Sequence, residues 1–176
     1  MKNHFEIREV KKEDKRTSFD FFVDGKALSE WLNINRFDLA FCDFDLDLVE
    51  VDKSKFPNYN RTKINKKAAS RFLGNDQPPF NQFETNRIVL YRCHCGVDYC
   101  GIISFLLEKQ DDLIIWKEIT YENEDFIYVE NKSYENDGFN CKEEIESKGL
   151  KPIKELRFDR SKYELEFKNY LNNYCA

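Results

Sequence analysis

Near the start of the chain, apolar and polar residues alternate with period two. Phe5 and Ile7 stand against His4, Glu6 and Arg8; Phe19, Phe21 and Val23 stand against Asp20, Phe22 and Asp24. Strand side chains point alternately to two faces, so both stretches read as strands, joined by the charged hairpin loop Lys11 to Arg16. Asp24-Gly25 ends the second strand, and Ala27, Leu28, Trp31 and Leu32 then recur at i, i+1, i+4 and i+5, the apolar face of a short helix. A third half-buried strand follows, with Cys42, Phe44, Leu46 and Leu48 on one face and Asp43, Asp45 and Asp47 on the other. Its phase flips at Leu48-Val49, the mark of a bulge or a strand end.

Beyond Pro57, Ile64, Ala68 and Phe72 fall at i, i+4 and i+8, which predicts a helix over Arg61 to Leu73, with Gly74 at the C′ position. Residues 75–82, with Pro78-Pro79, form a loop. Three nearly continuous apolar runs come next: Ile88 to Cys93, Ile102 to Lys109 and Leu113 to Tyr121, the last two linked by the tight turn Gln110-Asp111-Asp112. Strands at that spacing make an antiparallel meander, and their apolar continuity places residues 88–121 at the buried centre of the sheet. Phe126 to Val129 reads as an edge strand or as a loop pinned by aromatics, and Lys142 to Lys148 as a helix ending at Gly149. Ser161-x-x-Glu164 has the form of a capping box, and Tyr163, Phe167, Tyr170 and Leu171 make the apolar stripe of a last helix. With no repeat and no dividing linker, residues 1–176 are expected to form a single α+β domain, an antiparallel sheet with helices packed on one side.

Composition changes this picture little. Sixteen Phe, nine Tyr and two Trp in 176 residues supply a core, while six Gly and four Pro exclude a collagen-like or low-complexity chain. No apolar run approaches the roughly 18 residues of a membrane span, and the first residues have no apolar signal-like stretch. Six cysteines without such a signal are expected as reduced thiols in the cytoplasm.

Charge is more informative, because it is segregated. Residues 38–52 hold six acids and no base; residues 53–71 hold seven bases and no acid; residues 118–146 hold ten acids against two bases. In the last stretch the acids alternate with Tyr121, Phe126, Tyr128, Tyr134 and Phe139. Aromatics give contact area at low entropic cost and carboxylates steer a basic partner, so Glu122, Glu124, Asp125, Glu130, Glu135 and Asp137 are the expected contact surface for a basic protein, such as a toxin that this chain neutralises. The other reading makes the acids solvated loops and the aromatics core anchors. The basic stretch has no stacking aromatics on the face of Lys63, Lys66, Lys67 and Arg71, and the net charge is −5, so nucleic acid is not expected as a partner.

One cluster carries candidate metal chemistry. Cys93, His94, Cys95 and Cys100 lie within eight residues, in the link between two predicted strands. Three thiolates and an imidazole suit tetrahedral zinc, and Gly96 and Gly101 permit the turn around an ion. Neighbours in an extended strand point to opposite faces, so His94 joins Cys93 and Cys95 only if the backbone turns sharply; Cys141, Cys175 or His4 would otherwise complete the set. Packing of the thiols as small hydrophobes, and redox or hydrolytic chemistry of the hairpin, stand beside the zinc reading. An enzyme is not favoured. A cysteine hydrolase needs a histidine facing its nucleophile, and the chain holds only His4 and His94. Neither a Walker A loop nor a G-x-G-x-x-G motif is present. Asp43, Asp45 and Asp47 would sit about 7 Å apart on one strand face, a row able to hold Mg²⁺, but alternating acids more often mark a solvated face.

Leu90-Tyr91-Arg92-Cys93-His94-Cys95-Gly96-Val97-Asp98-Tyr99-Cys100-Gly101 is similar to the "LYxCxxCGDxGCG" signature of a group of small bacterial proteins of uncharacterised role, frequent in actinobacteria. Val23-Asp24-Gly25-Lys26-Ala27-Leu28-Ser29-Glu30-Trp31-Leu32 resembles their "VDGxxLxxxL" segment. Ile114-Ile115-Trp116-Lys117-Glu118-Ile119 resembles their following strand, and Phe158 to Tyr163 their last helix entry. The first cysteine spacing is one residue shorter here, and Asp98 is displaced from the usual Gly-Asp pair. The resemblance implies no particular activity. In size and charge the chain also resembles immunity proteins of bacterial toxin systems.

Overall fold

The computed structural model describes residues 1–11, 17–35, 44, 46–47, 52, 54–78, 81, 83–92, 98, 101–122 and 149–175. They form an α+β fold of two antiparallel sheets and three helices. The first sheet comprises β1 (Phe5–Lys11), β2 (Thr17–Val23) and β3 (Lys26–Ala27). The β2–β3 link is the two-residue turn Asp24-Gly25, with φ of 52° and 80°, the positive values a tight hairpin requires and glycine adopts without penalty. Helix α1 (Leu28–Leu32) follows directly. Leu28 and Leu32 are buried as expected, but Trp31 is 38% exposed: its Nε1 donates to the Val23 carbonyl and its ring lies under the Lys26 ammonium. Ser29 is buried in place of Trp31, its hydroxyl donating to the Asp20 carboxylate at 2.8 Å, and Ala27 is buried beside it.

The second sheet runs in the order β4 (Ile88–Arg92), β5 (Ile102–Lys109), β6 (Leu113–Glu122), β7 (Ile153–Asp159). The expected meander is its first three strands; β7 adds a fourth. The two sheets meet at Asn3, whose N–H donates to the Arg157 carbonyl and whose side-chain oxygen accepts from the Arg157 N–H. Their inner faces share one core, in which Phe5 and Phe21 touch Trp116. Helices α2 (Arg61–Phe72) and α3 (Arg160–Tyr174) close that core through Phe72 and Phe167.

Two helix details differ from the sequence reading. The buried stripe of α2 is Asn65, Ala68, Ala69 and Phe72, and Ile64 is 41% exposed. Helix α3 is capped not by Ser161 but by Asp159, which accepts from the Lys162 N–H. Strand β7 runs straight into the helix, so the carboxylate at the junction takes the cap, and the Ser161 hydroxyl donates to it. Phe44 and Leu46 are buried, as the alternation predicts, and the Leu46 carbonyl accepts from the Phe19 N–H of β2. Asp47, expected on a solvated face, is buried and accepts from the Ser18 hydroxyl. Asp43 and Asp45 lie outside the described residues, as do Phe126 to Val129 and Lys142 to Lys148. Among the described residues no helix is long and apolar enough to cross a membrane.

Candidate functional site

The register of the second sheet brings two features of the sequence to one end. Arg92 of β4 pairs with Ile102 of β5, and Ile102 pairs with Glu122 of β6. The chain therefore enters the cysteine-bearing link 93–101 and the acidic stretch beyond Glu122 from neighbouring strands, about 5 Å apart per step across the sheet. Paired residues share a face, so Arg92, Ile102 and Glu122 stand on the same side. The opposite side, with Tyr91, Ile103 and Tyr121, belongs to the main core. On the side of Ile102 a second, small cluster joins Phe83, Val89 and Ile102.

Beside that cluster lies a buried ionic network centred on Arg87. Its side chain is 9% exposed, and Nε faces both the Ser104 hydroxyl at 2.8 Å and a Glu122 carboxylate oxygen at 2.9 Å. Nη2 donates to the Ser104 carbonyl at 3.1 Å and to the Glu118 carbonyl, while Nη1 lies 3.6 Å from the Glu118 carboxylate. The Glu118 contact has a local cause. Register shifts between Ser104 and Leu106, where two β6 residues oppose one of β5, and Glu118 takes a φ of 52°. A bulge of that kind leaves a residue outside the regular ladder, and Arg87 takes up its carbonyl. The bulge also switches the phase of β6, so that Trp116 before it and Ile119 and Tyr121 after it all reach the main core.

Glu122 is 13% exposed, with the Asn81 amide at 3.4 Å as a further donor. Burial pushes its carboxyl above the usual carboxylate range, against the pull of Arg87 and of hydrogen bonds from Ser104, Asn81 and Thr85. The last strand residue before the acidic stretch is thus fixed by the interior network.

The cysteine-bearing link is tied to the sheet at both ends. Asp98, itself buried, accepts from Arg92 Nε at 2.8 Å, and its carbonyl accepts from the Gly101 N–H at 2.7 Å. Gly101 has a φ of 113°, and a Cβ placed there would lie 2.1 Å from the Tyr121 hydroxyl oxygen and 2.4 Å from its ring. Only glycine combines that backbone with that approach. Gly101→Ala should therefore lose about 2–4 kcal/mol, from strain and overpacking together. Gly25→Ala is the control: its φ is also positive, but nothing lies within 4 Å of the added carbon. Thermal melts of the two variants should show the larger loss at Gly101; equal losses would remove the role of the Tyr121 contact.

Of the residues singled out in the sequence, Glu122 is described, and its carboxylate faces Arg87 rather than open solvent. Glu124, Asp125, Glu130, Glu135 and Asp137 lie outside the described residues, and so do Cys93, His94, Cys95 and Cys100. Among the described residues no group of three metal-ligating side chains forms, and the buried Cys175 sulfur accepts from the Asn65 amide at 3.1 Å. Periodicity and motif do not single out Arg87 or Ser104, and the motif marks Asp98 only as displaced, not as the partner of Arg92. The one signal in the sequence is Arg87 itself, a charge directly before a run of four apolar residues. Comparison with known proteins returned no matching family model, no matching curated protein and no matching solved structure.

Proposed function

We propose that this is a cytoplasmic binding protein of the immunity type, which captures a basic partner protein, such as a toxin, on the acidic–aromatic stretch that follows β6. The observation that carries the reading is the anchoring of that stretch at both ends. At its start, Glu122 is committed to Arg87. At its end, the Gly149 carbonyl accepts from the Asn33 side chain at 3.2 Å, and the Lys151 N–H donates to the Leu32 carbonyl at 3.0 Å. Residues 123–148 between these anchors hold eight acids against three bases, interleaved with Phe126, Tyr128, Tyr134 and Phe139. Fixed roots lower the ordering cost of binding, and an excess of one charge sign with aromatics provides both steering and contact area. Glu122 holds the start of the stretch, and Glu124, Asp125, Glu130, Glu135 and Asp137 make the contacts.

Affinity capture from the producing cell, followed by stopped-flow association, tests this. Reversing all five contact acids to lysine should slow association with the captured protein at least tenfold at low salt and flatten its salt dependence. Association of the charge-reversed variant at the parental rate would refute the proposal.

A further inference from the structure

Helix α2 carries a cationic stripe that no described residue neutralises. Lys63, Lys66 and Lys67 are exposed and fall within an arc of about 100°, opposite the buried Asn65, Ala68, Ala69 and Phe72. Among the described residues none of the three makes an ion pair. The helix has no acidic residue, and its first turn, where the backbone dipole favours negative charge, holds Lys63 instead. Lys63 with Lys66 and Lys67, and Lys67 with Arg71, repel at the i,i+3 and i,i+4 spacings. Arg71 adds a second observation: its Nε is buried with no hydrogen-bond partner among the described residues. The fold thus keeps a helix whose surface charges weaken it.

A ligand of uniform negative charge accounts for this arrangement. A protein interface of ordinary composition would place acids among the bases or an apolar centre between them. The entry to the helix supplies a second requirement. Phe56 is 59% exposed, held in a turn where the Tyr59 N–H donates to its carbonyl at 3.0 Å, directly before the cap Asn60. An exposed ring in the turn that leads into a helix bearing a row of cations has the chemistry to take an unpaired base by stacking while lysines follow the phosphates. We infer that the exposed face of α2, with Phe56, is a binding site for single-stranded nucleic acid. It is independent of the acidic surface proposed above, because the two use different residues and opposite charge.

The probes are a labelled 20-nucleotide single-stranded RNA and a poly-glutamate peptide of equal charge, titrated by fluorescence anisotropy against the full chain. Three phosphate contacts on a single strand give a slope of log K against log salt near −2, or about 20-fold weakening between 50 and 200 mM salt. The combined Lys63→Gln, Lys66→Gln and Lys67→Gln variant should lose at least tenfold in affinity at 50 mM salt and most of the slope, with a melting temperature at or above that of the parent. Phe56→Ala should lose about tenfold with the slope retained. Parental affinity in the triple variant, parental affinity in Phe56→Ala, or absence of RNA binding at 50 mM salt would each overturn the inference. Equal affinity for poly-glutamate would overturn it in favour of an acidic protein partner.

Discussion

Arg87→Met should destabilise the protein by about 3–5 kcal/mol, the range expected when one partner of a buried ion pair is removed and the other stays. The methionine keeps an unbranched apolar stem, so lost packing contributes little. What is lost is the donor set that serves Ser104 of β5 and the Glu118 carbonyl and Glu122 carboxylate of β6. Each acceptor is then left in a place that water reaches poorly. The loss should depend on pH in a direction that the Glu122 carboxyl sets. Its pKa in the folded protein is already raised above 4.5 by burial, and Arg87 holds the rise in check. A folded-state pKa above the unfolded value means that ionisation costs stability as pH climbs from the unfolded pKa through the folded one. Without Arg87 that cost grows. The deficit of Arg87→Met should therefore be smallest below pH 4.5 and widen as pH rises towards neutrality. Urea unfolding midpoints of parent and variant across this interval measure it directly. Adding Glu122→Gln should recover part of the neutral-pH loss by removing the unpaired charge; no recovery would show that Glu122 is not the group left exposed to the cost.

How far the sequence anticipates this fold depends on how local the determining forces are. The meander is legible because Ile88 to Leu90, Ile102-Ile103 and Ile114 to Trp116 are apolar on both faces, as strands with buried side chains on each side of the sheet must be, although β4 is an edge strand rather than a central one. Strand β7 is not legible in the same way, since Lys154, Glu155 and Arg157 break its apolar pattern and only Leu156 and Phe158 are buried. Its outward charges are met both on the strand itself and across the sheet. Arg157 pairs with Glu155 on the same strand, while the neighbouring Lys117 of β6 pairs with Glu108 of β5. Ile64 shows the same limit in the helix, where the i, i+4, i+8 spacing finds the buried Ala68 and Phe72 but misses by one residue at the helix start. Asn65 is the better-buried residue, because its amide has the Cys175 sulfur to bond, 110 positions along the chain. The ion network at the sheet end is hidden for this reason too. Arg87, Ser104 and Glu122 are separated by 17 and 18 positions, and a bulge that no residue type announces brings them together. Charge segregation needs no such assembly, and it is the feature from which both proposed surfaces start.

Trp116→Ala should cost as much as Arg87→Met, about 3–5 kcal/mol, and for a different physical reason. Trp116 is fully buried on β6 and touches Phe5, Phe21, Phe72, Phe105, Phe158 and Tyr163, so its ring lies against both sheets and both long helices. Truncation leaves a cavity that these rings cannot close, because each is held by its own strand or helix and by further aromatic neighbours. The indole also has a polar duty. Its Nε1 donates to the Tyr163 hydroxyl at 3.1 Å, which in turn donates to the Phe72 carbonyl at 3.2 Å. Burial drives the Tyr163 phenol well above its ordinary pKa, so it stays a neutral donor over the whole working range of pH. Trp116→Phe separates the two contributions. It keeps most of the volume and removes the Nε1 donor, so its loss should be well under half that of Trp116→Ala if packing dominates. Equal losses would give the larger share to the hydrogen-bonded chain from Trp116 through Tyr163 to Phe72. Against a total stability of roughly 5–15 kcal/mol, the alanine variant should sit close to unfolding at ambient temperature. Amide exchange should then quicken in both sheets together, β1 and β2 as well as β5 and β6, because the two share the one core that Trp116 fills.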